Sequence, residues 1–290
     1  SYIIDSVESI SEDDLIYLYI FNLNPSGFII VSANDVAMPV LGYSFENNFS
    51  TINLPIQIEY LFNIYKNDID AIYEDNILVS EEILGLWEYY SNSFTYYSDR
   101  NVSPLLTCNW NQDSPWNQMC PEDQDGPGGN VYVGCVAVAM AQIMYYWGYP
   151  EVGYGSHGYT HWDYGYLSAN FGNSYYDYSQ MPNNYATTES QELLYHCGVA
   201  VNMGYGVDGS GANVFGNGNT AERAMKDYFL FKNDIDEVSP WQYGTTAYRE
   251  LLQNELDNNR PIIYVGYSND GGHAWNIDGY DGDYFHNNWG

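Results

Sequence analysis

Apolar positions in the first hundred residues change period partway along. Leu15-Ile16-Tyr17-Leu18-Tyr19-Ile20-Phe21 and Phe28-Ile29-Ile30-Val31-Ser32 are short β-rich runs on either side of Asn24-Pro25-Ser26-Gly27, which predicts a hairpin. Val40-Leu41-Gly42-Tyr43-Ser44 predicts a third strand. The period then becomes helical: Ile58, Leu61, Phe62 and Tyr65 predict an amphipathic helix over about Pro55–Asp70, and a second follows over Ser80–Tyr90. The polar stretch Tyr97–Pro104 reads as an exposed connector.

Beyond it the pattern is different. A loop from Cys108 to Asn117 and a glycine-rich stretch lead to Gly134. A helix is predicted from Cys135 to about Trp147, closed by Gly148 and Pro150. Further helices are predicted near Ser190–Met203, Ala221–Tyr228 and Tyr248–Leu256, with a glycine-dense loop over Gly204–Gly218. The end is β: Pro261–Val265 is a strand, and His273–Gly279 pairs with Tyr284–Trp289 across an Asp281-Gly282 turn. Strands followed by helices, then a helical block followed by an antiparallel sheet, make an α+β chain. Its 290 residues suit two domains at about 100–200 residues each. The boundary is read at 1–102 and 103–290.

Composition narrows the function. Seven basic against 38 acidic side chains give a net charge of −31, so a nucleic-acid partner is not expected; phosphate contacts need a basic face. The acidity suits a solvated surface, and equally an adaptation to salt or to a cationic substrate. No apolar stretch reaches the roughly 18 residues of a membrane span. The chain opens Ser1-Tyr2-Ile3 with no leader, as after removal of a signal peptide or in a fragment. Four cysteines are too few for a disulfide scaffold. Cys108 and Cys120, in loop-like sequence, either bridge in an oxidising compartment or stay apart, while Cys197 falls on an apolar helical pattern. No Cys-x-x-Cys spacing occurs, so no metal or cofactor is expected.

The chemistry concentrates at two points. Cys135, after Gly134, opens a helix whose free N–H groups and partial positive charge lower a thiol's pKa. His273 follows it by 138 residues, within the roughly 130–150 that separate nucleophile and base in papain-like enzymes. Gly272 gives a substrate chain room beside the imidazole. The Asn287-Asn288-Trp289-Gly290 end offers an amide to fix the imidazole tautomer and an indole to shield it. Asn287 shares its strand face with Trp289 and is the favoured orienter, with Asn288 as the alternative. Gln112, through its side-chain amide, would complete an oxyanion hole with the backbone N–H of Cys135.

These motifs resemble the streptopain family of secreted bacterial cysteine peptidases. The resemblance is carried by Gly134-Cys135-Val136-Ala137-x-Ala139-x-Ala141-Gln142-Ile143-Met144 with Tyr149-Pro150, by Gly271-Gly272-His273-Ala274-x-x-Ile277-Asp278-Gly279, by Asn288-Trp289-Gly290, and by Asn111-Gln112-x-x-Pro115-Trp116-Asn117. Gly27–Ser32 and Leu41–Ser44 resemble the family propeptide. The resemblance implies a zymogen: an inhibitory propeptide of about a hundred residues, cut near Arg100–Pro104 to release a papain-like peptidase. It implies Cys135 as nucleophile, His273 as base and then acid, Gln112 as oxyanion donor, and Gly272, Ser210 and Gly211 along the substrate cleft. It also implies a protein or peptide substrate, a secreted bacterial protein, and further strands after Gly290. Position 287 departs from the family pattern, where it is usually apolar and Trp does the orienting, so the orienter lies between Asn287 and Trp289. The competing readings are an inactive secreted binding or inhibitor module and another papain-fold acyl transferase using the same Cys–His pair.

Overall fold

The computed structural model of the chain describes residues 2–52, 54, 56–92, 101–268 and 271–290. It divides into two compact units, Ser1–Tyr97 and Ser98–Gly290.

The first unit holds four strands, β1 (Ile3–Glu12), β2 (Leu15–Asn24), β3 (Phe28–Ser32) and β4 (Val40–Ser44), in an antiparallel sheet in chain order. The expected hairpin is β2–β3, in register from Leu18 opposite Ser32 to Asn22 opposite Phe28. Strand β1 was not expected. It is an edge strand whose side chains are mostly exposed, so it carries no half-buried alternation to read. Two helices follow, α1 (Ile56–Glu74) and α2 (Glu81–Asn92). Phe62 and Ile69, seven residues apart on α1, share one face and join Tyr17, Leu18, Ile20 and Ile30 in the core. Polar ties finish the packing: Tyr65 donates to the Leu41 carbonyl at 3.1 Å, and Trp87 Nε1 to the Ala37 carbonyl at 3.0 Å.

The second unit begins with a two-residue strand, β5 (Asn101–Val102). The sequence assigned these residues to the first domain and to an irregular connector. They pair with Asp281 and Tyr280 of the second unit's sheet; of the rest of the connector, Tyr97–Arg100 lie outside the described residues, while Ser103 and Pro104 continue as irregular chain. The central helix α3 (Cys135–Trp147) is buried from Cys135 through Met144. A helix apolar on all sides belongs in a core, and here its neighbours include α4 (Thr188–Ala200) and α5 (Ala221–Asp227). It ends where Gly148 takes the left-handed conformation (φ 56°) and returns its N–H to the Met144 and Tyr145 carbonyls. A hairpin of β6 (His157–His161) and β7 (Gly165–Ala169), also unexpected from the sequence, packs on α4.

After the short α6 (Pro240–Tyr243) and α7 (Thr245–Asp257) come β8 (Ile262–Ser268), β9 (Gly271–Asp281) and β10 (Tyr284–Asn288). Strand β9 is central, with β10 along one edge and β8 and β5 along the other, all antiparallel. Its alternating side chains divide between two layers. Ala274 joins the core around α3, while Ile277 packs with Leu252 and Leu256 of α7. The two-layer helix-and-sheet arrangement bears out the α+β expectation.

Candidate active site

The sequence reason Cys135 opens α3 is Gly134. Its φ of 94° turns the chain into the helix, and a Cβ there would lie 2.5 Å from Met203 Sδ and 3.2 Å from the Ser210 carbonyl oxygen. The glycine thus lets the loop carrying Ser210 and Gly211 close against the start of α3. That loop is held by Ser210 Oγ, which donates to the Tyr132 carbonyl at 2.6 Å, and by a backbone bridge between Gly211 and Gly204. Gln112 is buried, and its carbonyl accepts from Val133 N–H at 2.9 Å, so it runs beside the segment that leads into Cys135.

Strand β9 brings the imidazole to the same place. The backbone N–H of Ala274, next to His273, donates to Cys135 Sγ at 3.5 Å. His273 is buried, with its Nε2 3.2 Å from the Trp289 carbonyl. A carbonyl only accepts, so Nε2 carries the proton in this contact and Nδ1 is left as the basic nitrogen. The ring lies nearly parallel to Trp275 and Trp289, at centroid distances of 5.9 Å from each, and the two indoles are 4.7 Å apart. Gly272 faces Tyr267 across the β8–β9 ladder.

One expectation fails in its detail. Asn287 was favoured to hold the imidazole; its Oδ1 instead accepts from Trp275 Nε1 at 2.7 Å. The reason is register. Asn287 stands opposite Ile277, four residues along β9 from His273, about 13 Å at ~3.3 Å per residue. Asn287 therefore fixes an indole of the aromatic stack, and Trp289 supplies the carbonyl on His273 as well as a shielding ring. Asn288 faces the opposite layer, where it donates to the Cys108 carbonyl at 2.9 Å and accepts from Gln142 Nε2 at 2.9 Å.

The electrostatics also depart from the helix-terminus argument. Burial pushes the Cys135 thiol above its ordinary range, and the N–H groups of Ala274, Val136 and Cys135 itself draw it back only in part. Burial pushes His273 down to about 4, against the upward pull of the Trp289 carbonyl. Each group alone is held neutral. A proton passed from sulfur to imidazole would create two opposite charges that offset each other's desolvation, so the arrangement suits an ion pair rather than a lone thiolate.

All four cysteines are free, buried thiols, Cys108 and Cys120 among them. Sequence reasoning missed two polar features. Asp278, fully buried, takes His286 Nδ1 on one carboxylate oxygen at 2.6 Å and Leu106 N–H on the other at 2.8 Å. Gln142 and Asn276, also fully buried, bond to each other at 2.8 Å. Their signal was a lone amide inside each of two apolar runs.

A model of the peptidase C10 family matches residues 110–290. A second, described as Spi protease inhibitor, matches residues 4–69. The thiol protease/hemagglutinin PrtT of Porphyromonas gingivalis is 28% identical over 310 residues, covering 99% of this chain and 34% of PrtT; the chain spans about a third of that relative's length. Streptopain of Streptococcus pyogenes serotype M1 is 26% identical over 308 residues, 94% of this chain and 71% of streptopain. Among solved structures, a mutant fragment of Prevotella intermedia prointerpain A has a TM-score of 0.76 at 29% identity, covering 98% of this chain and 88% of its own. The active wild-type interpain A cysteine protease has a TM-score of 0.58 at 34% identity, covering 67% and 83% respectively. Among the described residues no helix is long and apolar enough to cross a membrane. The resemblance read from four ordered motifs is borne out: the chain belongs to the peptidase C10 family, the streptopain-like cysteine peptidases, and carries an inhibitor-type segment ahead of its peptidase unit.

Proposed function

We propose that this chain is the zymogen of a secreted bacterial cysteine endopeptidase acting on protein or peptide substrates, with about its first hundred residues as the inhibitory propeptide and the chain from Asn101 as the peptidase domain, two residues earlier than the sequence boundary. The observation that carries the reading is the contact of Ala274 N–H with Cys135 Sγ, which sets the imidazole strand against the thiol helix. His273 Nδ1 takes the thiol proton, and Cys135 Sγ attacks the scissile carbonyl carbon. The Cys135 N–H and the Gln112 amide hold the tetrahedral oxyanion. Its collapse breaks the C–N bond, the imidazolium returns its proton to the leaving amine, and a thioester remains. Water, deprotonated by His273, attacks the thioester and releases the carboxylic acid and the thiol. Trp289 orients the base through its carbonyl; Gly272, Ser210 and Gly211 border the bound substrate chain.

Latency ends in this reading when the chain is cut on the N-terminal side of Asn101. The paired strand β5 and the hydrogen bonds from Leu105 and Leu106 to Asp278 favour a cut before them. Cys135→Ala in the processed protein is expected to lower peptide hydrolysis by at least ~10⁴-fold with an unchanged circular-dichroism spectrum. Hydrolysis of denatured casein at the wild-type rate by that variant would remove Cys135 from the mechanism.

A further inference from the structure

Three side-chain amides of the second unit, Gln142 and Asn276 fully buried and Asn288 half-buried, form one directed run. Asn276 Nδ2 donates to Gln142 Oε1 at 2.8 Å and also to the Ala139 carbonyl at 3.1 Å. Gln142 Nε2 donates to Asn288 Oδ1 at 2.9 Å and reaches the Trp110 carbonyl at 3.4 Å. Asn288 Nδ2 donates to the Cys108 carbonyl at 2.9 Å. The orientation of each amide is dictated by its neighbours: Ala139, Trp110 and Cys108 offer carbonyls, which only accept, so flipping any amide would set oxygen against oxygen. Hydrogen bonds in such a chain polarise one another, and in a dry interior they hold their geometry tightly.

What the run connects is the point of interest. Gln142 lies two turns beyond Cys135 and therefore on the same face of α3. Asn276 is three residues from His273 on β9, and Asn288 immediately precedes Trp289. Cys108 and Trp110 lie in the loop that runs on to Gln112. Each of the four segments that carry a proposed catalytic group is thus tied to the others by the same three amides. Asn276 Oδ1 has no partner among the described residues. A bare buried carbonyl costs stability, which the two hydrogen bonds donated by Asn276 Nδ2 have to offset.

We infer that Gln142 and Asn276 are positioning residues, setting the axial register of α3 against β9 and thereby the alignment of Cys135 with His273. The inference rests on the reading of those two residues as the reacting pair. The test uses the processed enzyme with Gln142→Met, Asn276→Leu and the double variant, in which donor and acceptor of the Asn276–Gln142 bond leave together, although Asn288 Oδ1 and the Trp110 carbonyl then lose the Gln142 donor. Rates are expressed per thiol titrated by an epoxysuccinyl inhibitor. The expected result is a kcat lowered about 10- to 100-fold in all three with KM for a peptide amide within about twofold, as misplacement of reacting groups produces. Alkylation of Cys135 by iodoacetamide should need a higher pH in the variants, since the thiol would no longer pass its proton efficiently to His273. The double variant should be no worse than the poorer single one. Wild-type kcat and a wild-type alkylation profile in a folded double variant would overturn the inference. An inactive processed wild-type enzyme would overturn the underlying reading of the pair instead.

Discussion

The two units bury their apolar residues in different ways. The first rests a four-stranded sheet on α1 over a core of Tyr17, Leu18, Ile20, Ile30, Phe62 and Ile69, and leaves Ile3, Ile4 and Val7 exposed along β1. The second surrounds α3 so completely that its first ten residues are buried, and packs β9 between that helix and α7. Groups that must meet within a fraction of an ångström need such support, because a reacting pair is only as well placed as the shell behind it. A unit that serves until it is cut away does not. All five histidines of the chain lie in the second unit, as do all four cysteines. The contrast is between a thin, separable layer and a deep scaffold holding the chemistry.

The strongest way to break that contrast is to attack the thin core. Phe62→Ala is expected to cost about 3–5 kcal/mol, a large part of what so small a core supplies. In calorimetry of the full chain, an early transition should move to lower temperature while the later one stays in place. Equal displacement of both transitions would mean that the units do not melt separately.

Acid should separate the units in the opposite sense. The folded His273 titrates at about 4, below its ordinary 6.5, so on acidification the unfolded state binds its proton first. Its contribution is complete above pH 6.5 and is lost as the pH falls to 4, at about 1.4 kcal/mol per pH unit and about 3 kcal/mol in all. His161 and His196, also pushed down by burial, act in the same direction. In the first unit burial raises Asp68, so the folded state takes up that proton more readily and gains stability as the pH falls through the carboxylate range. Urea midpoints of the second transition should therefore drop between pH 6.5 and 4, with a shallower slope in His273→Ala. An equal slope in that variant would show that His273 is not the group responsible.

The smallest effect sharpens the distinction between scaffold and site. Thr187 and Ser190 form a reciprocal cap at the start of α4, the hydroxyl oxygen of each accepting from the other's backbone N–H. Thr187→Ala should lower the second transition by about 1 kcal/mol and leave kcat unchanged. A fall in kcat without a fall in stability would place α4 in the catalytic machinery.

Much of this was legible before any coordinates. Helix α3 announces itself by Gly134 before and Gly148 after an apolar run, and β9 by the alternation through His273, Trp275 and Ile277. Cys135, Gln112 and His273 were named from residue chemistry and spacing, and the fold sets their segments side by side. What stayed hidden depends on register and on partners distant in sequence. The face shared by Asn287 and Trp289 followed from strand parity. The four-residue offset from His273 did not, because pairing of β10 with β9 includes an irregularity between His286 and Asn287. Strand β1 was missed because an exposed edge has no hydrophobic rhythm, and the β6–β7 hairpin because its glycines and polar residues read as loop. Gln142 and Asn276 lie 134 residues apart, and only the fold shows that two lone amides are one hydrogen bond.

The central claim is that Cys135 is a nucleophile held latent until the chain is cut between the units. It is tested most directly by alkylating the full chain with iodoacetamide, mapping the modified peptides, and repeating the measurement after limited proteolysis ahead of Asn101. Fast modification of Cys135 in the cut protein, with Cys108, Cys120 and Cys197 left unmodified and Cys135 slow in the intact chain, is the predicted result. Equally fast modification of Cys135 before and after cutting, or slow modification spread over all four cysteines, would contradict it.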